Sequence, residues 1–287
     1  MSSRRIVFLV GRAGHVAPRV VRKLVQLARA MDAEVELYHS AFEWSAFQKG
    51  GVGSVTSDSE TQAIAAQRRV DLDGVVEELD RAGIRATSRI ACEKPGYPGV
   101  LRHVLATRPD LLVMQSTRHG SLARLLLSYT DFKLIETCPS PLLLLKTEKA
   151  YCEGLILAAV DPMHLRDKTA ALDGAILDNA RLLAAGFEAS VHICHAYTLG
   201  DRDEVDARLR KLGEQAQVRP DHVHLEWGEP ADVITRCAQS LDANIVVMGA
   251  VSRSALERVL IGHTAEQVLD AVDCDVLVVK PPVQTVA

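Results

Sequence analysis

The residues best suited to chemistry lie between Val246 and Val268, in VVMGAVSRSALERVLIGHTAEQV. Gly249 ends an apolar run there, and Gly262 opens an amphipathic one. A glycine lets backbone approach a ligand closely, because no Cβ stands in the way. The first N–H groups of a helix have no intrahelical partner and carry the positive end of its dipole. Gly262, His263 and Thr264 therefore suit a phosphate or another anion. The sequence also expects Thr264 to cap that helix, with Gln267 three residues on completing a capping box. Asp161 follows the run LILAAV (155–160), so it falls at the carboxyl end of another expected strand. Ligands of open parallel sheets sit at such ends.

A second group suits a metal. In VHICHA (191–196), His192 and Cys194 share one face of a strand and His195 the other. In HVHLEW (222–227), His222, His224 and Glu226 share a face. If the two strands are neighbours, His192, Cys194 and His224 offer imidazole, thiolate and imidazole to a zinc ion. Buried, hydrogen-bonded histidines, or an exposed edge strand at 222–227, account for the same pattern.

Other motifs argue against an efficient enzyme. The sequence holds no G-x4-G-K-[ST] phosphate loop and no G-x-S-x-G nucleophile elbow. GRAG (11–14) lacks the third glycine of a dinucleotide fingerprint and reads as a turn. Nothing pairs a nucleophile with a base, and no acidic cluster accompanies Asp161 and His263 to hold Mg²⁺. Any phosphoryl transfer is expected to be slow or incidental. STRHGSLARLLL (116–127) reads as a solvated helix start, and CEKPGYPG (92–99) as a rigid loop.

Composition narrows the partners. Of 287 residues, 48% are hydrophobic and 24% charged, as in a soluble domain with a substantial core. Aromatics at 4% are too few for a base-stacking platform, and a net charge of −4 leaves no basic stripe for nucleic acid. The six cysteines form no C-x-x-C pair, which suits reduced thiols in a cytoplasm. No stretch reaches the roughly 18 apolar residues of a membrane span.

The elements that must position these groups repeat. IVFLV (6–10), VELY (35–38), DLLVM (110–114) and PLLLLK (141–146) are followed by LILAAV, VHICHA, NIVVM (244–248) and DVLVVK (275–280). Continuous apolar runs indicate strands buried on both faces, and the helical stretches between them indicate βαβ units. AEVELYHSAF (33–42) aligns with ASVHICHAYT (189–198) at an offset of 156, and 110–146 aligns with 244–280 at 134. The extra chain of the first half is expected at 43–70, as a loop leading into a helix. The chain thus reads as two tandem α/β domains, 1–147 and 148–287. Their last strands, as apolar edges, invite pairing about a pseudo-twofold, which would mimic a homodimer within one chain. A further homodimer of whole chains is left open.

The second half resembles the universal stress proteins, whose nucleotide-binding members carry G-x2-G-x9-G-[S/T] at this place. Here the string is Gly249-x2-Ser252-x9-Gly262-His263-Thr264, with Ser252 at the second glycine and the hydroxyl one place late. The tandem plan, GHTAEQV and CDVLVVKPP are most similar to the two-domain, E-type members. The resemblance implies two flavodoxin-like, doubly wound domains, each with a five-stranded parallel sheet. It also implies ATP or another adenine nucleotide in the second domain. Asp161 would meet the adenosine end, and Gly249, Ser252, Arg253, Gly262, His263 and Thr264 would surround the phosphates. The first half has Gln115, Arg118 and Ser128 at the glycine positions and Gly11 in place of the aspartate. No nucleotide is expected there, with Tyr129 filling the phosphate space. The implied role is a stress-response protein that senses a small-molecule ligand, with a regulatory protein as partner. The alternative is an interaction module whose degenerate pockets take a partner, an apolar or lipid-like molecule, or zinc.

Overall fold

The computed structural model describes residues 3–11, 14–40, 58–91, 96–115, 129–151, 154–163, 170–198, 202–250 and 262–281. The chain forms two compact units: one runs through Gln115 and resumes up to Leu142, and the other takes Leu143 onward.

The first unit contains β1(Arg4–Leu9), α1(Pro18–Met31), β2(Ala33–Ser40), α2(Asp58–Arg81), β3(Ala86–Ala91), α3(Gly96–Thr107), β4(Leu111–Gln115) and α4(Tyr129–Thr137), and reaches the start of β5(Leu142–Leu145). Its strands lie in the order β3-β2-β1-β4, with parallel pairing between β1 and β2, β1 and β4, and β2 and β3.

The second unit contains β6(Leu155–Ala159), α5(Ala170–Phe187), β7(Ser190–Tyr197), α6(Arg202–Gln215), a 3₁₀ turn at Pro220–His222, β8(Val223–Trp227), α7(Pro230–Ser240), β9(Ile245–Gly249), α8(His263–Ala271) and β10(Asp275–Val279). Its order is β10-β9-β6-β7-β8, again parallel. Leu143–Leu145 of β5 belong to this unit, and β5 neighbours β10 there. Both halves are doubly wound, flavodoxin-like α/β domains.

Apolar runs become central strands because helices cover both faces of the sheet. The residues of β5 and β10 are all buried, as are the first four of β9. Each fully buried Leu or Val contributes about 1.5–3 kcal/mol. Helix boundaries follow local chemistry. Pro18 and Pro230 stand at the first positions of α1 and α7, where the missing N–H costs nothing. Asp32, after α1, takes the left-handed conformation (φ 49°) and its N–H closes on Ala28 and Arg29 carbonyls.

The repeat extends beyond the segments aligned from sequence. Gly96 and Pro230 start α3 and α7, and Leu111 and Ile245 start β4 and β9, both 134 residues apart. One local expectation changes. CEKPGYPG is not a loop throughout: α3 begins at Gly96, and Pro98 sits in its first turn, which tolerates proline. Part of the first half's extra length is helix, since α2 has 24 residues against 14 for α6. Its alanines, glutamines and arginines are strong helix formers, and no proline interrupts them. Residues 43–57 lie outside the described residues, as do 116–127 and the side chain of Tyr129. Among the described residues, no helix is long and apolar enough to cross a membrane.

Candidate functional site

In the second unit the strand order reverses between β6 and β9, which pair directly (Ala159 with Met248). A doubly wound sheet opens its ligand crevice at this reversal, beyond the carboxyl ends of the strands. Asp161 follows β6 and Gly249 ends β9, so the fold brings these two sequence candidates to adjacent strand ends. The Asp161 N–H donates to Asp173 Oδ1 at 3.1 Å. Asp173 lies in the first turn of α5 and is buried. It fixes the loop after β6, a role that its place in an amphipathic helix did not reveal. His195, whose ring lies on the face of β7 opposite Cys194, is also buried. Its Nδ1 is 2.9 Å from the Val160 carbonyl. The first unit repeats this contact, with His39 Nδ1 3.5 Å from the Val10 carbonyl. Burial, the larger influence, holds the His39 pKa below its ordinary value.

Gly249 has a packing role of its own. A Cβ placed there would lie 2.6 Å from Leu172 Cδ2, inside van der Waals contact. Leu172, fully buried at the start of α5, occupies the space above the strand end.

Gly262, not Thr264, is the N-cap of α8 (φ −61°, ψ 142°). Its carbonyl accepts the Ala265 and Glu266 N–H groups at 2.8 and 3.1 Å. Thr264 already lies inside the helix, so the expected capping box does not form. Among the described residues, no side chain caps the helix. The amides of His263 and Thr264 thus precede the first intrahelical bonds, at the end of the helix where the dipole is positive. Because β9 and β10 are parallel, this end of α8 faces the carboxyl side of the sheet. His263 is exposed and Thr264 half-buried. Ser252 and Arg253 lie outside the described residues.

The histidines and cysteine read as zinc ligands take other partners. His192 Nδ1 is 2.9 Å from His224 Nε2, a direct imidazole–imidazole hydrogen bond. Tetrahedral zinc at about 2.0–2.1 Å from each nitrogen needs a wider separation. His192 also stacks on His222, with centroids 3.8 Å apart. Cys194 turns to Cys237 on α7, Sγ to Sγ 3.4 Å. Among the described residues, no group of three or more His, Cys, Asp or Glu is arranged to hold a metal ion. Burial, then the neighbouring His222 and His224, depress the His192 pKa to about 4. Strand β8 is the edge of its sheet, as the alternative for 222–227 had it.

In the first unit, Gly11 stands where Asp161 stands in the second, and a Cβ there would meet nothing within 4 Å. Packing therefore does not forbid an aspartate at that place. Gly14 (φ 69°) closes a turn through its N–H to the Gly11 carbonyl at 2.8 Å. The Arg68 side chain fills the space beside it, with Cδ 2.3 Å from where a Cβ would lie. Gly11 and Gly14 thus bracket a turn, and Gly14 packs against an arginine stem.

Comparisons with known proteins agree with this architecture. The model of the universal stress protein family matches residues 3–146 and again 155–280. Universal stress protein E of Escherichia coli is 23% identical over 286 residues, covering 91% of this chain and 89% of that protein. A universal stress protein E homolog of Haemophilus influenzae is 22% identical, covering 87% of this chain and 86% of that protein. A solved structure of a putative universal stress protein from Pseudomonas aeruginosa shares the fold at a TM-score of 0.77 and 24% identity, over 98% of this chain and 94% of that one. Another, from Archaeoglobus fulgidus, does so at 0.75 and 15%, over 98% of this chain and 100% of that one. Two matches of one family model, on two halves with the same strand order, lead to one conclusion: the chain belongs to the universal stress protein family, with the family's domain present twice in tandem.

Proposed function

We propose that the second unit binds an adenine nucleotide at the carboxyl ends of β6 and β9, as ligand sensor rather than metabolic enzyme. The observation that carries this reading is the N-terminus of α8, which no described side chain caps. Gly262 stands there without a side chain of its own, so the His263 and Thr264 amides lie at the helix end that suits an anion. In this scheme the phosphates lie against Gly262, His263 and Thr264, with Ser252 and Arg253 completing the cradle. The Asp161 carboxylate accepts hydrogen bonds from the ribose. ATP suits the site, and its hydrolysis is incidental. The protein would act in the cytoplasm and pass the bound state to a regulatory protein.

The test is to denature the purified chain, identify released small molecules by mass spectrometry, and follow its melting with ATP and Mg²⁺. The expected result is an adenine nucleotide near stoichiometry, or a melting temperature raised by several degrees at saturating ATP. Gly262→Val should abolish the shift while leaving the circular dichroism spectrum intact. Neither nucleotide nor shift would sink the proposal.

Leu172 favours the second reading, an interaction module without nucleotide. If Gly249 exists only to admit that side chain, the glycine at the strand end serves packing alone. A partner protein captured equally well by Gly262→Val and the unaltered chain would support that module.

A further inference from the structure

We infer that Cys194 and Cys237 form a peroxide-oxidisable dithiol, a reversible disulfide site between β7 and α7. Both thiols are free and buried, and their sulfurs lie 3.4 Å apart. A disulfide needs about 2.05 Å, so closure asks for a movement of little more than 1 Å. The hydrogen bonds run in a chain. The Cys194 thiol donates to Cys237 Sγ, and the Cys237 thiol donates to Glu226 Oε1 at 3.4 Å. Glu226 lies on the edge strand β8, its side chain is 41% exposed, and it pairs with Arg236 at 3.3 Å. Cys237 thus lies against a partly exposed side chain, which offers its proton a way out.

The repeat shows that the fold does not require cysteines here. The sequence offsets of 156 and 134 put Tyr38 and His103 of the first unit at the places of Cys194 and Cys237. Those two rings stack with centroids 4.8 Å apart, and His103 Nε2 is 3.0 Å from Glu36 Oε2. The same seam between second strand and third helix is filled by an aromatic pair in one unit and a thiol pair in the other. An apolar or aromatic contact would serve packing equally well, whereas two thiols in contact add redox chemistry.

The order of events follows from the hydrogen bonds. Glu226 takes the Cys237 proton, and the Cys237 sulfur attacks one oxygen of hydrogen peroxide. The S–O bond forms, the O–O bond breaks, and the departing hydroxide leaves as water with the proton from Glu226. Cys194 Sγ then attacks Cys237 Sγ. The S–S bond forms, the S–O bond breaks, and hydroxide leaves as a second water with the Cys194 proton. Two thiols and one peroxide give one disulfide and two waters, the sulfurs together losing two electrons. A small dithiol reverses the step by exchange. The hydrogen bond to Cys237, followed by burial, keeps Cys194 protonated, which suits the second, resolving position. Peroxide is a small oxidant, suited to a sulfur that lies against a partly exposed side chain.

The test uses the full-length chain. Reduced protein is treated with stoichiometric hydrogen peroxide, unfolded in an alkylating agent, and digested without reductant for mass spectrometry. The expected result is that the peptides carrying Cys194 and Cys237 are joined, and separate again on adding dithiothreitol. Both thiols still alkylated after treatment, or joined to other cysteines, overturns the proposal. Cys194→Ser should let Cys237 accumulate as sulfenic acid, trapped by dimedone. Trapping at Cys194 in Cys237→Ser at an equal rate overturns the assigned order. Glu226→Gln should slow disulfide formation at least about threefold with the melting temperature unchanged. An unchanged rate overturns the role of Glu226 as proton acceptor.

Discussion

At the scale of single residues, one glycine can answer to packing or to a ligand, and Gly249 answers at least to packing. Its missing Cβ is where Leu172 Cδ2 comes to 2.6 Å. Gly249→Ala should destabilise the second unit by about 1–2 kcal/mol in urea denaturation, because overpacking a dense core strains its neighbours. Leu172→Ala leaves a cavity and costs about 2–5 kcal/mol alone. The two costs should not add: the double variant should fall short of their sum by about 1 kcal/mol or more. Strict additivity would separate Gly249 from Leu172 and return its glycine to the ligand. Gly262 is the opposite case. Its φ of −61° is open to any residue, so conformational strain does not explain it. Absence of a side chain at the helix entrance is what it contributes.

At the scale of elements, the edge strand β8 rests on stacked imidazoles. His192 lies between His222 and His224, with centroid separations of 3.8 and 5.2 Å, and Arg219 and Asp221 stand nearby. Burial comes first in depressing the His192 pKa to about 4, with His222 and His224 adding to it. His224 is lowered too, chiefly by burial. The folded strand therefore accommodates neutral rings, while in the unfolded chain an ordinary histidine protonates near pH 6.5. The unfolded state binds more protons between these values, so stability rises with pH across the window. This contribution is complete above about pH 6.5 and is lost progressively as pH falls toward 4. Between pH 7 and pH 5, where most carboxylates stay ionised, the loss should be about 1–2 kcal/mol. Melting curves at fixed ionic strength check it, and His192→Gln should flatten the slope. A slope unchanged by that substitution would detach the strand's pH response from the stack.

At the scale of the whole molecule, the second unit begins before the second family match does. The matches end at 146 and resume at 155, yet residues in between are bound into the unit. Asp275, fully buried at the start of β10, accepts the Lys146 and Thr147 N–H groups at 2.8 and 2.9 Å. It also accepts the hydroxyl of buried Tyr151. Lys146 Nζ in turn donates to the Leu269 carbonyl at the end of α8. A fragment 141–287 keeps these bonds, and a fragment 155–287 leaves a buried carboxylate without them. Losing the partners of a buried charge costs about 3–5 kcal/mol. The shorter fragment should melt well below the longer one, or fail to fold. Equal melting temperatures would show that these bonds add nothing to the unit.

The sequence by itself determined the tandem α/β plan, because continuous apolar runs at repeating intervals have few other ways to bury both faces of each strand. It also carried the family and marked Asp161, Gly249 and Gly262, since strand ends and helix starts are local features. Partnership across the fold was beyond it. His192 and His224 share a face in their own strands, but only the β7–β8 register sets their nitrogens 2.9 Å apart, too close for two ligands of one tetrahedral zinc. Cys194 and Cys237 stand 43 residues apart and meet only when α7 packs on the sheet. Leu172 against Gly249, and Asp275 holding the stretch between repeats, are likewise contacts between distant parts of the chain. Periodicity records which face a residue presents; the packed structure decides what it meets there.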